Sequence, residues 1–404
     1  MIGILALVTH LAAAPPPGPV PDFAPLAAVV SSGRLAVRAP KVADALTRLL
    51  GPRHVVDLRP TPDFEVPDAL LWLRDHQPIF VRAADGGLIA LRYRHRSPWR
   101  DAWLPPDLPL AEPGESIRRE PVEAPTAARR EPEGVAALRR AVRNTADGGA
   151  SAGGAGDFPR GLLETRVVEL PLLHEQGNLV TTGGHIFFSV RLVTDNGDQS
   201  TLPHLLAGSY LPRDPATVID LMSHALGRRP ADLVLLPPLP GDTTRHVDLM
   251  MLPLSPDEVL VPVIEADALA LVTRPAERVL SRETAEALET VALTLQRLGY
   301  RVVRAPMRAP RYVPSPDEPN AHMPVFFTPA NALLLNLGDA RFILLPRAPA
   351  AALRPTEAAL NARHEAAWAA IFAARGWTPV FADVGDLWRL GGLLRCVTAT
   401  IPAP

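Results

Sequence analysis

The chain is almost without thiols, since Cys396 is the only cysteine among its 404 residues. A single cysteine excludes an intrachain disulfide and a cysteine-based zinc cluster. Two uses of the sulfur remain, a small buried apolar side chain or a reactive thiol. Free cysteine is among the most buried residue types, so Cys396 taken alone favours the first use.

The chain also lacks an excess of charge of either sign and long apolar runs. The net charge is −2, so electrostatics do not favour nucleic acid or an anionic membrane as a partner. Lys41 is the only lysine, which we attribute to genome composition. No segment beyond the N-terminus has the unbroken apolar length of a membrane-spanning helix. The apolar fraction of 47% is instead typical of a globular chain with a large core.

The N-terminus carries a short apolar run that ends in Ala12-Ala13-Ala14 before Pro15. It resembles a secretory signal peptide without the usual basic region, and it is too short to span a bilayer. We therefore predict that residues 1–20 are a signal peptide or a disordered N-terminus. A secreted or periplasmic location is the prediction, with the cytoplasm as the alternative.

A unit of helix, short β-rich segment, loop and hairpin recurs five times along the sequence. The predicted helices are Lys41–Leu50, Gly134–Arg143, a helix from Asp214 to Gly227, a long helix capped by Ser281, and an Ala-rich helix from Pro355 to Gly376. Each unit exposes an apolar face that only its neighbours can cover, so residues 21–404 are predicted to form one domain. A flexible insertion is expected at about residues 110–160.

Polar residues recur at equivalent places in these units, each predicted on the inner strand of a hairpin. They are Asp75, Glu175, His246, Asp248, Asn331 and Cys396. A strand with one buried face does not place carboxylates on that face without a partner. His246 and Asp248 are two residues apart, so on a strand they would point to the same side. In a closed ring of units, all of these side chains would converge on one axis.

One cysteine, one histidine and several carboxylates suit nucleophilic catalysis. Cysteine supplies the nucleophile and histidine the general acid and base, as in a protease or an acyltransferase. Carboxylates beside the thiol argue against an anionic transition state, because they raise the thiol pKa and repel an oxyanion. They suit a planar cation, since carboxylates bind a guanidinium through paired hydrogen bonds.

The motifs resemble those of agmatine deiminases and bacterial peptidylarginine deiminases. The segment Trp72-Leu73-Arg74-Asp75 is similar to the family's Trp-x-Arg-Asp, and His246-Val247-Asp248 matches its His-x-Asp. Further similar segments are Glu175-Gln176-Gly177-Asn178, the strand with Asn331 and Asn336, and Gly391-Gly392-Leu393-Leu394-Arg395-Cys396. The family fold is the pentein, so the resemblance implies a five-bladed pseudo-symmetric α/β propeller of repeated helix–strand–hairpin units.

The resemblance also implies the roles of the site residues. Cys396 would be the nucleophile and His246 the general acid and base, while Asp75 and Asp248 would bind the guanidinium nitrogens. Glu175 would orient His246 or hold the substrate. The predicted substrate-binding set is Glu175, Asn178, Asn331 and Trp72. No metal and no organic cofactor are implied.

The implied activity is hydrolysis of a guanidinium C–N bond, which releases ammonia and a ureido product through a covalent thiouronium. The substrate would be a small guanidino compound or an arginine-containing peptide. Export suits citrullination of peptidyl arginine, whereas a cytoplasmic location suits agmatine and putrescine biosynthesis. Two alternatives stay open, an amidinotransferase and a non-catalytic pentein that binds a cationic ligand. One departure from the family is Gln176, which replaces the first glycine of Glu-Gly-Gly-Asn and is expected to alter a tight backbone approach.

Overall fold

The computed structural model describes residues 18–50, 55–58, 71–77, 79–83, 85–94, 166–197, 213–314, 322–350 and 353–403. In these ranges the chain is a mixed α/β protein whose strands are two to eight residues long. Residues 1–17, the predicted helix Gly134–Arg143 and the insertion predicted at residues 110–160 lie outside the described residues.

Five sheets share one pattern, in which the first strand runs antiparallel to the second and the second runs parallel to the third. Their strands are β4 Ile79–Arg82, β5 Leu88–Arg94 and β6 Arg166–Leu173; β7 Leu179–Thr181, β8 Ile186–Ser189 and β9 Leu233–Leu236; β10 Leu252–Pro253, β11 Glu258–Ile264 and β12 Arg301–Met307; β15 Leu333–Asn336, β16 Arg341–Arg347 and β17 Thr378–Asp383; and β18 Ala399–Pro402, β2 Leu26–Ser32 and β3 Val55–Leu58. In the last sheet a strand from the C-terminal end pairs with β2 near the N-terminal end.

A helix connects the second strand of a sheet to the third in four of these sheets, as parallel pairing requires a crossover. These helices are Pro40–Leu50, Pro215–Ala225, Pro275–Arg297 and Ala358–Ala373. The predicted order of helix, strand and hairpin is therefore present in the described residues, and the strand pairing adds how these parts combine. Each hairpin pairs with the strand that follows its helix, so β3 pairs with β2 and not with the next hairpin.

The core lies between the helices and these sheets. The buried face of helix Pro275–Arg297 carries Leu288, Val291 and Leu295, and it packs with Val259 and Val261 of β11. Those three side chains are spaced by three and four residues, which places them on one face of the helix. Burial of such faces fixes each helix on its own sheet.

The helix ends agree with the sequence patterns in one case and differ in another. Asp214 is the N-cap before Pro215 and accepts a hydrogen bond from the Thr217 N–H at 3.0 Å. The prediction that Ser281 caps the long helix is wrong, because this helix begins at Pro275. The Ser281 hydroxyl instead donates to the Glu277 carbonyl at 2.6 Å inside the helix.

Two short elements add to this frame. Strand β1, Gly18–Pro19, pairs antiparallel with β4, so the end of the predicted N-terminal segment joins the first sheet. Strands β13 Arg311–Pro314 and β14 His322–Val325 form a separate hairpin. Among the described helices, none combines the length and the hydropathy that a membrane span requires.

Candidate active site

Five short turns carry the predicted site residues, and each turn directly precedes the first strand of one sheet. Each is closed by a backbone hydrogen bond between residues three apart. The bonds run from Asp75 N to Trp72 O (3.1 Å), Asn178 N to Glu175 O (2.9 Å), Met250 N to Val247 O (2.9 Å), Ala332 N to Pro329 O (3.3 Å) and Thr398 N to Arg395 O (3.4 Å).

The prediction that these residues lie on the inner strands is therefore wrong, because they lie in the short turns that come just before those strands. Asp75 lies in helix Leu73–His76, and Asp248 lies in the 3-10 turn Val247–Leu249. His246 is the extended residue before that turn, so the pair does not share a strand face. The apolar residues next to these side chains produce the alternating pattern that is typical of a strand. In the turns, however, successive side chains do not alternate between two faces as they do in a strand.

The turns contact one another in chain order. Helix Leu73–His76 packs against turn Gln176–Asn178, which packs against turn Val247–Leu249, which packs against turn Pro329–Asn331. The Cys396 segment contacts both ends of this series. Arg395 N donates to the Asn331 carbonyl at 3.3 Å, and Arg74 N donates to the Cys396 carbonyl at 3.1 Å. The sequence-predicted residues are thus brought together from distant parts of the chain.

His246 lies between two carboxylates. Its Nε2 is 2.9 Å from Glu175 Oε2, and its Nδ1 is 3.8 Å from Asp75 Oδ1. Burial alone would lower the pKa of His246, but the carboxylates of Asp75 and Glu175 outweigh burial and raise it to about 9. Burial, with the charges of Glu175 and Asp248, raises the pKa of Asp75 to about 7. His246 is therefore cationic at neutral pH, next to an Asp75 that titrates there.

Glu175 is held from both sides. Arg191 places Nη1 2.6 Å from Glu175 Oε2, and its Nη2 donates to Oε1 at 3.1 Å. With His246 on the same Oε2, both carboxylate oxygens of Glu175 accept hydrogen bonds. Of the two roles predicted for Glu175, this geometry favours the orientation of His246.

Cys396 is buried, with 7% of its surface exposed. Asn331 Nδ2 donates to its Sγ at 3.3 Å, while Asn331 Oδ1 accepts from Arg395 N at 3.0 Å. Burial raises the pKa of the Cys396 thiol far above its usual range, and the charges of Asp248 and Asp75 raise it further. Without a compensating cation the sulfur is therefore a neutral thiol.

Two carboxylates at the site are incompletely hydrogen-bonded. Asp248 is fully buried, and neither of its oxygens accepts a hydrogen bond from a residue that the structure describes. Its closest ion-pair atom is Arg74 Nε, 4.0 Å from Oδ2. Oδ1 of Asp75 also has no hydrogen-bond donor among the described residues. Buried carboxylate oxygens without donors are costly, which indicates a site for a ligand with N–H groups.

Gly177 lies directly against His246. A Cβ atom at this position would be 2.3 Å from His246 Nδ1, closer than any real contact. The tight backbone approach expected for the family's Glu-Gly-Gly-Asn element is thus at its second glycine, which this chain retains. Gln176, which replaces the first glycine, is buried beside it.

Asn178 and Trp72 contact the protein around the site. Asn178 Oδ1 accepts from the Ser189 N–H at 2.7 Å, so its side chain connects the turn to β8. The Trp72 ring lies against Gly392, where an added Cβ would be 2.2 Å from its Cζ3. Their predicted roles in substrate binding stay predictions.

Sequence reasoning missed two residues that support His246. Asp242 Oδ2 accepts from the His246 backbone N–H at 3.1 Å, and Arg191 binds Glu175. The only available signal for Arg191 was Asp195 four residues later, the spacing of a helical ion pair, and their Nε–Oδ2 distance is 2.8 Å. That signal indicates a surface pair and says nothing about Glu175.

Two groups of side chains have the composition of metal ligands in the described part of the chain. Asp75, Glu175 and His246 have ligand atoms within 4.8 Å of one another, and so have Glu265, Asp267 and His364. In the first group the His246–Glu175 hydrogen bond and the Arg191 ion pair already engage His246 Nε2 and both oxygens of Glu175. A metal there would have to displace both, so the ion-paired arrangement fits an acid–base site better.

No protein-family model matches the chain, and no curated protein matches its sequence. Solved structures do match over almost its whole length. The agmatine deiminase of C. jejuni superposes with a TM-score of 0.57 at 11% identity, over 96% of this chain and 97% of that one. A protein from Porphyromonas gingivalis, assigned as an arginine deiminase, gives 0.57 at 19% identity, over 95% and 97%. The agmatine deiminase of Enterococcus faecalis gives 0.54 at 13% identity, over 95% and 94%. The chain therefore has the fold of the agmatine deiminases, which its sequence motifs resemble.

Proposed function

We propose that this protein is a guanidine deiminase that hydrolyses a guanidinium C–N bond through a covalent adduct on Cys396. The observation that carries the proposal is the pair of carboxylates with unused oxygens, Asp248 and Asp75, beside a buried thiol and a cationic histidine. A guanidinium is planar and presents N–H groups on several sides, so two carboxylates can bind it through charge-assisted hydrogen bonds.

The charges of the site also explain how a buried thiol becomes a nucleophile. After burial, the charges of Asp248 and Asp75, which would bind the substrate, are the groups that raise the pKa of the Cys396 thiol. A bound guanidinium offsets their negative field, so the thiol releases its proton to solvent and the thiolate forms next to the carbon that it attacks. The site would then hold its reactive sulfur protonated until a cation arrives.

The proposed reaction has two stages. The Cys396 thiolate attacks the guanidinium carbon, and His246 donates a proton to the nitrogen that leaves as ammonia. This gives a thiouronium on the sulfur. His246 then removes a proton from water, which attacks the same carbon. The C–S bond breaks as the remaining hydroxyl proton passes to the departing sulfur, which releases the ureido product and restores the thiol. Glu175 holds His246 in place for both proton transfers.

The five sheets with a common pattern, and the contact of the fifth turn with the first, support a five-bladed propeller around this site. In this arrangement the five turns line one axis and each unit contributes to the catalytic group. Residues 21–404 would then form the single catalytic domain.

The test is incubation of the purified protein with agmatine, free arginine and an arginine-containing peptide, with ammonia and ureido product as readouts. Product from one of them, lost in Cys396→Ala, is the expected result and also identifies the substrate class. Product that forms only with an added acceptor amine would favour the amidinotransferase. No product from any substrate, combined with binding of agmatine, would favour a non-catalytic cation-binding protein.

A further inference from the structure

Arg191 connects two of the turns that form the site. It is the first residue of helix Arg191–Gly197 and is buried. Its two terminal nitrogens bind the two oxygens of Glu175, and Nη1 also donates to the Thr244 carbonyl, two residues before His246. Its Nε donates to Asp195 at 2.8 Å, which fixes the guanidinium on its own helix.

We propose that Arg191 is a positioning residue that holds the Glu175 carboxylate against His246 and fixes the segment from which His246 projects. The inference rests on the proposed function only in taking His246 as the general acid and base. It assigns to Arg191 no contact with substrate.

The charges around Glu175 explain why such a clamp is needed. The titratable groups that interact directly with the Glu175 charge are Asp75, Tyr93, His174, Arg191 and His246. Beyond them, Asp195 interacts with Arg191, while Asp242 and Asp248 interact with His246. The charge of Glu175 helps to raise the pKa of Asp75, so these two carboxylates disfavour each other's charge, and burial keeps His174 neutral by lowering its pKa to about 3. Arg191 is a cation that binds both oxygens of Glu175 and shares Oε2 with His246 Nε2. A bidentate pair fixes both carboxylate oxygens, so the carboxylate plane cannot rotate away from Nε2.

Replacement of Arg191 changes the pKa of His246, and the direction of this change distinguishes a positioning role from a simple charge effect. If Arg191 acts only as a nearby positive charge, its loss raises the pKa of His246, because a repelling charge is removed. If Arg191 positions Glu175, its loss breaks the His246–Glu175 hydrogen bond, which supports the protonated imidazole. The pKa of His246 then falls.

The experiment measures the pKa of His246 by NMR on the full chain with labelled histidine, with the resonance assigned by His246→Asn. Arg191→Gln is expected to lower this pKa by about one pH unit. On a substrate identified by the assay proposed above, kcat is expected to fall by about 10- to 100-fold with KM within about threefold. Arg191→Lys keeps the charge but binds only one oxygen of Glu175. Its His246 pKa and its kcat are expected to lie between those of the wild type and Arg191→Gln.

Arg229→Gln is the matched control, since it breaks an exposed Arg–carboxylate pair with Asp232 at 2.7 Å. It is expected to change neither quantity. A second readout compares kcat of the single variant Glu175→Gln with kcat of the double variant Glu175→Gln/Arg191→Gln. The two values should be equal if Arg191 acts only through Glu175.

A rise or no change in the pKa of His246 in Arg191→Gln would overturn the proposal, and so would an additive loss of kcat in the double variant. If Arg191→Gln does not fold, the pKa in Arg191→Lys decides the same question. The NMR measurement needs no turnover, so failure of the proposed function leaves this test intact.

Discussion

Gly177 offers the sharpest prediction about the site, because the space beside it is filled by the ring of His246, the proposed general acid and base. In Gly177→Ala the new Cβ would be 2.3 Å from His246 Nδ1, whereas ordinary contacts begin at 3.4 Å. The imidazole or the turn must therefore move by about 1.1 Å. His246 Nε2 lies 2.9 Å from Glu175, so a shift of this size exceeds what that hydrogen bond tolerates.

The expected cost has two parts. Overpacking at a buried site lowers the free energy of unfolding by about 1–3 kcal/mol. A displacement of about 1 Å in the acid–base group lowers kcat by about 100-fold. Denaturant unfolding and steady-state kinetics on the identified guanidine substrate measure the two quantities separately.

Gly184→Ala provides the control nearby in the chain, in the connection between β7 and β8 that follows the Gly177 turn. Its Cβ would be 3.4 Å from the Tyr300 hydroxyl, an ordinary contact, and the change in unfolded-state entropy is the same. It is expected to leave kcat unchanged. Wild-type kcat in Gly177→Ala would refute the placement of His246 against this turn.

Four further predictions concern the carboxylates, the thiol and the pH dependence. Asp248→Asn should lower kcat/KM by at least about 100-fold, because the guanidinium loses a buried ionic partner, while circular dichroism stays that of the wild type. Asn331→Ala should raise the pKa of the Cys396 thiol further, since the Asn331 amide stabilises the thiolate, and this is measured as the pH dependence of alkylation by iodoacetamide. The pH profile of kcat/KM should rise through about 7, as Asp75 becomes an anion, and fall above about 9, as His246 loses its proton. Asp75→Asn should lower the pKa of His246, because a carboxylate that supports its charge is removed.

The repeat could be predicted from the sequence because it depends on local patterns. Helix ends such as Asp214-Pro215 and apolar strands such as Val55–Leu58 appear in the structure where the patterns place them. Which strands pair within the repeat could not be predicted. Whether a strand pairs with the hairpin before or after it depends on tertiary packing, which no local pattern encodes.

The candidate site could be predicted as a set of residues but not as a geometry. The motifs identified Asp75, Glu175, His246, Asn331 and Cys396, which the structure brings together through contacting turns. Their turns looked like strands, because single-turn 3-10 segments are too short to show a period. The residues behind the site were missed, since Arg191 meets Glu175 only through the fold.

The most direct test of the central claim is the mass of the protein after acid quenching during turnover. The wild type and His246→Asn, a variant expected to slow both proton transfers, are each mixed with substrate. The mass of the peptide that contains Cys396 is then measured. The account predicts an adduct equal to the substrate less ammonia on Cys396, and neither adduct nor ammonia from Cys396→Ala. Ammonia release by Cys396→Ala at the wild-type rate would contradict it.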